Sequence, residues 1–211
     1  MTPQSLLLIV RGSFGAAVAR YLCVLEHDTI QLNNVASFNE VAPAHARALV
    51  ALLWRPDIEL CYRAEAFSYQ SGVPFVPLIQ DGRRIQIGPV IRPGDGCCWS
   101  CWTQRQRQHD PLFGTRTALW RFYSTQPDIG PMGFLDPFAL IAAARLSEIL
   151  SAMQAGTLDT GYYWQIDFLR PQMLTARGIG VHGCPRCGLN RSSDMSSYGQ
   201  LRAALRALWK T

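Results

Sequence analysis

The chain has 211 residues, of which 48% are hydrophobic and 17% charged, and it carries a formal net charge of +5. This composition is typical of a folded protein with its own hydrophobic core and excludes a largely disordered chain. It also argues against nucleic-acid binding, because the 20 Lys and Arg residues are scattered and form no dense basic stripe.

The first predicted element is a buried strand at Leu6 to Val10, followed by a glycine turn and a helix. Its apolar run is too short for a secretory signal, so we expect a cytoplasmic protein. The turn lies where a nucleotide-binding loop would lie, but it retains only Gly12 and Gly15 of the pattern G-x-G-x-x-G. This degenerate loop fits close packing of helix on strand at least as well as nucleotide binding.

Strands and helices then alternate along the chain. Further strands of apolar or β-branched composition are predicted at 28–32, 49–54, 73–79 and 84–91. A helix is predicted between the second and third of these, because Pro56 suits its first turn and Gly72 its end. The segment from Thr103 to Met132 is predicted to be a partly helical excursion.

A long helix follows, with Asp136 predicted as its N-cap, Pro137 as its first helical residue and Gly156 as its end. Its apolar residues repeat at helical spacing and are interrupted by Arg145 and Glu148. A membrane span needs about 18 uninterrupted apolar residues, so we interpret this segment as a helix with one buried face, and expect no membrane association.

Two late strands are predicted at 162–169 and 172–181, and an amphipathic tail helix at about 198–210. Early alternation of strands and helices, with paired strands late, predicts an α/β fold with a mostly parallel sheet. We expect residues 1–211 to form a single domain.

Two C-x-x-C pairs predict a zinc site with four thiolate ligands: Cys98, Cys101, Cys184 and Cys187. Four thiolates leave no position for water, so the zinc is expected to be structural rather than catalytic. A redox dithiol would need only one pair, and disulfides are not favoured in a reducing compartment.

The separation of the pairs predicts a staple that joins 97–101 to 182–188, since zinc fingers place their pairs about 15–20 residues apart. Cys97 could replace Cys98 only with an altered loop geometry. His182 lies beside the second pair and is expected to hydrogen-bond a ligand rather than to bind the metal.

The remaining cysteines, Cys23 and Cys61, lie in helical patterns and are expected to be packed core residues.

The blocks G-V-P-F-V-P-L-I-Q-D-G, I-G-P-V-I-R-P-G-D-G-C-C-W-S-C-W-T-Q-R and V-H-G-C-P-R-C-G resemble the ThiF-like proteins, the Rossmann-type group that includes ubiquitin-activating enzymes. More closely, they resemble the branch that partners YcaO-type cyclodehydratases, which form azolines in ribosomally made peptides. The resemblance implies a non-catalytic scaffold subunit, a YcaO-type partner that performs the ATP-dependent chemistry, and a homodimer.

Active members of that group use a lysine at the ATP phosphates, whereas the one lysine of this chain is Lys210. ATP binding by this chain is therefore not expected.

Members of that branch also bind the precursor's leader peptide with a winged-helix module, and the first strand here begins near Ser5. We therefore expect either that leader binding resides on another chain or that this protein is only a scaffold. The alternative is a ThiF-type adenylyltransferase that activates a carrier protein or peptide C-terminus, with phosphates held by arginines such as Arg11, Arg20 or Arg92.

Overall fold

The computed structural model describes residues 5–26, 28–32, 46–126, 128–131, 133–170, 172–181, 183–188, 201–202 and 205–206. The strands within these ranges are β1 Ser5–Arg11, β2 Thr29–Leu32, β3 Ala46–Leu53, β4 Phe75–Asp81, β5 Arg84–Ile87, β6 Tyr162–Asp167 and β7 Gln172–Arg177. The helices are α1 Gly12–Leu25, α2 Ile58–Ser71, α3 Trp99–His109, α4 Phe113–Thr125 and α5 Asp136–Gln154.

The described strands form one sheet in the order β2-β1-β3-β4-β5-β6-β7. The first four lie parallel to one another, and β5, β6 and β7 add antiparallel pairs. The chain leaves β1 towards β2 and then returns to the other side as β3. The carboxyl ends of β1 and β3 therefore flank the switch point at which sheets of this kind bind ligands. The predicted α/β fold is confirmed.

Each face of the sheet carries its own apolar cluster. Alternate residues of β1 face opposite sides: Leu6 and Leu8 pack with residues of α1 and α5, whereas Leu7 and Ile9 pack with residues of α2 and α3. All four are fully buried, which explains why β1 is a continuous apolar run rather than an alternating one. Burial of each such side chain contributes about 1.5–3 kcal/mol.

Several predicted boundaries differ from the observed ones. The N-cap of α5 is Leu135, because the carboxylate of Asp136 accepts hydrogen bonds from Tyr21 and Arg20 instead of capping the helix. Strand β5 ends at Ile87, since Gly88 adopts a φ of 98°.

The predicted partly helical excursion contains most of α3 and all of α4, and its described residues after Thr125 are not helical. Most of the predicted tail helix lies outside the described residues; Leu201, Arg202, Leu205 and Arg206 are helical. Among the described helices, none combines the length and the apolar character needed to cross a bilayer.

Candidate functional site

The four predicted ligand cysteines come together at one site. Their Sγ atoms all lie within 4.8 Å of one another, with Cys98 and Cys184 3.7 Å apart and Cys101 and Cys187 3.4 Å apart. Four sulfurs bound tetrahedrally at about 2.3 Å from one zinc ion would lie about 3.8 Å apart, whereas a disulfide needs about 2.05 Å. The cluster therefore fits a metal ion of the zinc type and contains no disulfide.

Local backbone geometry presents the sulfurs. Cys98 is the N-cap of α3, and its Sγ accepts the backbone N–H of Cys101 at 3.4 Å. The Sγ of Cys101 in turn accepts the N–H of Val181 at 3.1 Å. In the second pair, Gly188 donates its N–H to the carbonyl of Cys184, and a Cβ at Gly188 would contact the Cys184 backbone, so this turn requires glycine. Both C-x-x-C segments thus form knuckle turns that direct their sulfur atoms towards one shared metal site.

The electrostatics of the cluster favour a cation. All four cysteines are at least nine-tenths buried. Hydrogen bonds to Cys101 and Cys187, together with burial, raise the pKa of the Cys98 thiol, while hydrogen bonds from Cys101 and Cys98 lower the pKa of Cys187. A divalent metal ion bound at this site would stabilise the four cysteines as thiolates.

A buried carboxylate, which the sequence did not lead us to predict, connects the two segments that carry the four cysteines. Glu65 on α2 is fully buried, accepts the backbone N–H of Trp99 at the start of α3, and lies 2.6 Å from the guanidinium of Arg186 in the second knuckle. Burial raises the pKa of Glu65, and the Trp99 N–H and Arg186 oppose that rise. The signal was available: Glu65 shares the buried face of α2 with Cys61 and Ser68.

The other cysteines lie outside the cluster. Cys97 is fully buried, with its Sγ in the space that a Cβ of Gly178 would fill. Cys61 is fully buried in the core, as predicted, while Cys23 is only partly buried and its Sγ lies 3.1 Å from the Thr29 hydroxyl. His182 lies outside the described residues.

The switch point between β1 and β3 is covered by an indole. Gly12 adopts a φ of 70° at the start of α1, and the ring of Trp54 occupies the position where a Cβ of Gly12 would lie. A Cβ at Gly130 would meet the opposite edge of the same ring. Gly15 packs against the carbonyl of Leu52, so this glycine serves close packing of α1 on β3. Trp54 therefore lies against the first residue of α1, at the end of the helix where a phosphate would bind.

The arginines considered for an alternative phosphate site engage three different partners. Arg11 donates to the carbonyl of Val10, Arg20 to Asp136, and Arg92 to the carbonyl of Met153. The structure does not bring them together at Gly12.

Comparisons with known proteins give the fold a context. No family model and no curated protein matches the chain. The solved structure of the heterocyclase TruD matches 89% of this chain at 16% identity with a TM-score of 0.62, and a heterocyclase in complex with substrate and cofactor matches 89% at 15% with a TM-score of 0.64. E. coli MccB matches 91% of the chain at 12% identity with a TM-score of 0.61.

The share of those proteins that the chain covers differs. It spans 28% and 26% of the two heterocyclase chains and 67% of MccB. At these identities the likeness shows a common fold.

Proposed function

We propose that this chain is a non-catalytic ThiF-like subunit of an azoline-forming peptide cyclodehydratase, and that it presents the precursor peptide to a YcaO-type enzyme. The proposal depends on one observation: the four-thiol metal site of this fold is complete, whereas Trp54 covers its nucleotide-binding crevice at Gly12. The likeness to heterocyclase structures over 89% of the chain supports the same assignment.

In this proposal the metal has a structural role. Cys98, Cys101, Cys184 and Cys187 would hold zinc, which supplies cross-links between α3 and the second knuckle and no open coordination position. The chain's own residues contribute binding and orientation, which raise the rate of the partner's reaction through proximity rather than through catalytic groups.

Reconstitution tests the proposal. The YcaO-type enzyme of the same organism is assayed with its precursor peptide and MgATP, with and without this chain, by the loss of water from the peptide in mass spectra. We expect the chain to accelerate heterocycle formation and to hydrolyse no ATP by itself. ATP consumption by the chain alone, or an unchanged rate on its addition, would refute the proposal.

A second candidate is a ThiF-type adenylyltransferase. It is favoured by one observation: the crystal structure of E. coli MccB with ATP matches 89% of this chain with a TM-score of 0.59. That activity would require Trp54 to leave the crevice and phosphates to be bound without a lysine from residues 1–209. Release of pyrophosphate from MgATP in the presence of a peptide would identify it.

A further inference from the structure

The helix α4 has an unusual balance of composition and burial. It contains five large apolar or aromatic residues, yet none of its 13 residues is buried. Its polar attachments to the rest of the described chain are arginine contacts. Arg55 donates to the carbonyl of Tyr123 at 3.0 Å. Arg116 lies 3.3 Å from Asp110 and 3.9 Å from Asp81. Because helices in proteins are stabilised mainly by packing of an apolar face, α4 has one face available for a partner.

A cleft of about 480 Å³ separates α4 from the first turn of α2. Its walls are mostly apolar and are formed by Pro56, Ile58, Phe113, Trp120 and Tyr123. This volume and lining are those of a site for an organic group rather than for water or an ion.

The aromatic walls are held in place. Arg55 is buried, and its guanidinium lies 4.5 Å from the centre of the Tyr123 ring and 5.4 Å from that of Trp54. Phe113 and Trp120 meet edge to face with ring centres 5.8 Å apart. These contacts pre-organise the walls, which lowers the entropy cost of binding.

The polar groups of the cleft favour an uncharged ligand with hydrogen-bonding capacity. Arg55 and Arg121 are balanced by Asp57 and Glu59. The hydroxyl oxygen of Thr117 is buried in the wall and has no hydrogen-bond partner among the described residues. A buried hydroxyl left in this state costs free energy, which a peptide amide from a ligand would recover.

We propose that the cleft between α4 and α2 binds an uncharged peptide segment, with a bulky apolar side chain between Trp120 and Ile58 and a backbone amide hydrogen-bonded to Thr117. The inference rests on the proposed function and names the surface through which this subunit holds the precursor peptide. The cleft lies beyond the carboxyl end of β3, next to the switch point where α/β sheets bind ligands.

Selection of short random peptides displayed on phage, against the complete zinc-loaded chain, supplies the probe. Enriched sequences are synthesised with blocked ends and a fluorescein label, and their affinities are measured by anisotropy. We expect enrichment of segments with a Phe, Trp, Leu or Ile flanked by uncharged residues. Enrichment of charged peptides without such a residue, or of no sequence, would overturn the proposal.

Variants of α4 test whether the peptide binds in the cleft. Trp120→Ser removes a cleft wall and is expected to weaken binding at least about tenfold, while Thr117→Val keeps the shape and is expected to weaken it about three- to tenfold. Phe122→Ser is the matched control, since Phe122 is 48% exposed and does not line the cleft. Circular dichroism checks that each variant keeps its helices.

The proposal fails if Phe122→Ser weakens binding as much as Trp120→Ser, or if Thr117→Val and Trp120→Ser bind like wild type. Binding in the cleft without stimulation of a YcaO-type enzyme would refute the proposed function alone. Stimulation that survives Trp120→Ser would refute the cleft alone.

Discussion

The guanidinium of Arg186 lies 2.6 Å from the carboxylate of Glu65, although the two residues are 121 positions apart in the chain. The pair connects the second cysteine knuckle to α2, and the same carboxylate accepts the N–H of Trp99 at the start of α3. One buried acid therefore joins three segments that surround the four cysteines.

We predict that Glu65→Ala destabilises the protein by about 1–3 kcal/mol, because it leaves the buried N–H of Trp99 without its acceptor and removes the ion-pair partner of Arg186. Glu65→Gln should cost less, since an amide oxygen can still accept from Trp99. Urea unfolding measures both. Glu59→Ala, on the exposed side of the same helix, is the control; if Glu65→Ala unfolds at the same urea concentration as that control, the carboxylate has no structural role.

The zinc content of cysteine variants should distinguish the cysteines that bind the metal from those that do not. Cys98→Ser and Cys184→Ser are expected to lower the zinc content of the purified chain, since serine binds zinc far more weakly than thiolate, and to lower its melting temperature. Cys97→Ser and Cys23→Ser are the controls and should retain one zinc ion per chain, because neither residue belongs to the cluster. The metal is quantified by inductively coupled plasma mass spectrometry. Full occupancy in Cys98→Ser, or zinc loss in Cys97→Ser, would contradict the assignment.

Much of this site could be predicted because its signals are local. The spacing of Cys98 and Cys101 and of Cys184 and Cys187 identifies two knuckles wherever the fold places them, and Gly72 ends α2 with a φ of 74° as a C-terminal glycine should. The positions of Trp54 over Gly12 and of Glu65 under the knuckles were not predicted. Both depend on packing between segments far apart in sequence, which leaves no periodicity or motif.

Removal of the metal should destabilise the wild-type protein. After dialysis against a strong zinc chelator, the melting temperature is expected to fall, because the four thiols then lose the cross-link between α3 and the second knuckle. Re-addition of zinc should restore the original value, whereas magnesium should not, since it prefers oxygen ligands. A melting temperature that is insensitive to the chelator, with zinc shown to be absent, would exclude a structural metal.

Nucleotide binding is expected to be absent. Calorimetric titration of the zinc-loaded chain with MgATP should give no binding heat, since the Trp54 ring occupies the approach to Gly12 and a phosphate needs direct access to the backbone N–H groups at the start of the helix. Micromolar binding would contradict this prediction and favour the adenylyltransferase alternative.

The contact between Gly12 and Trp54 can be measured directly with a double-mutant cycle. Gly12→Ala should destabilise the chain for two reasons: its φ of 70° disfavours a side chain, and the added Cβ meets the indole. The first effect costs about 1 kcal/mol and persists in any background. The second vanishes when Trp54→Ala removes the ring.

We therefore expect Gly12→Ala to cost more in the wild-type background than in Trp54→Ala, with a coupling free energy of about 1–3 kcal/mol. Gly72→Ala, whose Cβ would meet no atom within 4 Å at a similar φ of 74°, provides the matched control. It should show only the backbone cost and no coupling to Trp54. A coupling free energy near zero for Gly12 would mean that the indole does not fill the crevice in solution, and the argument against nucleotide binding would lose its structural basis.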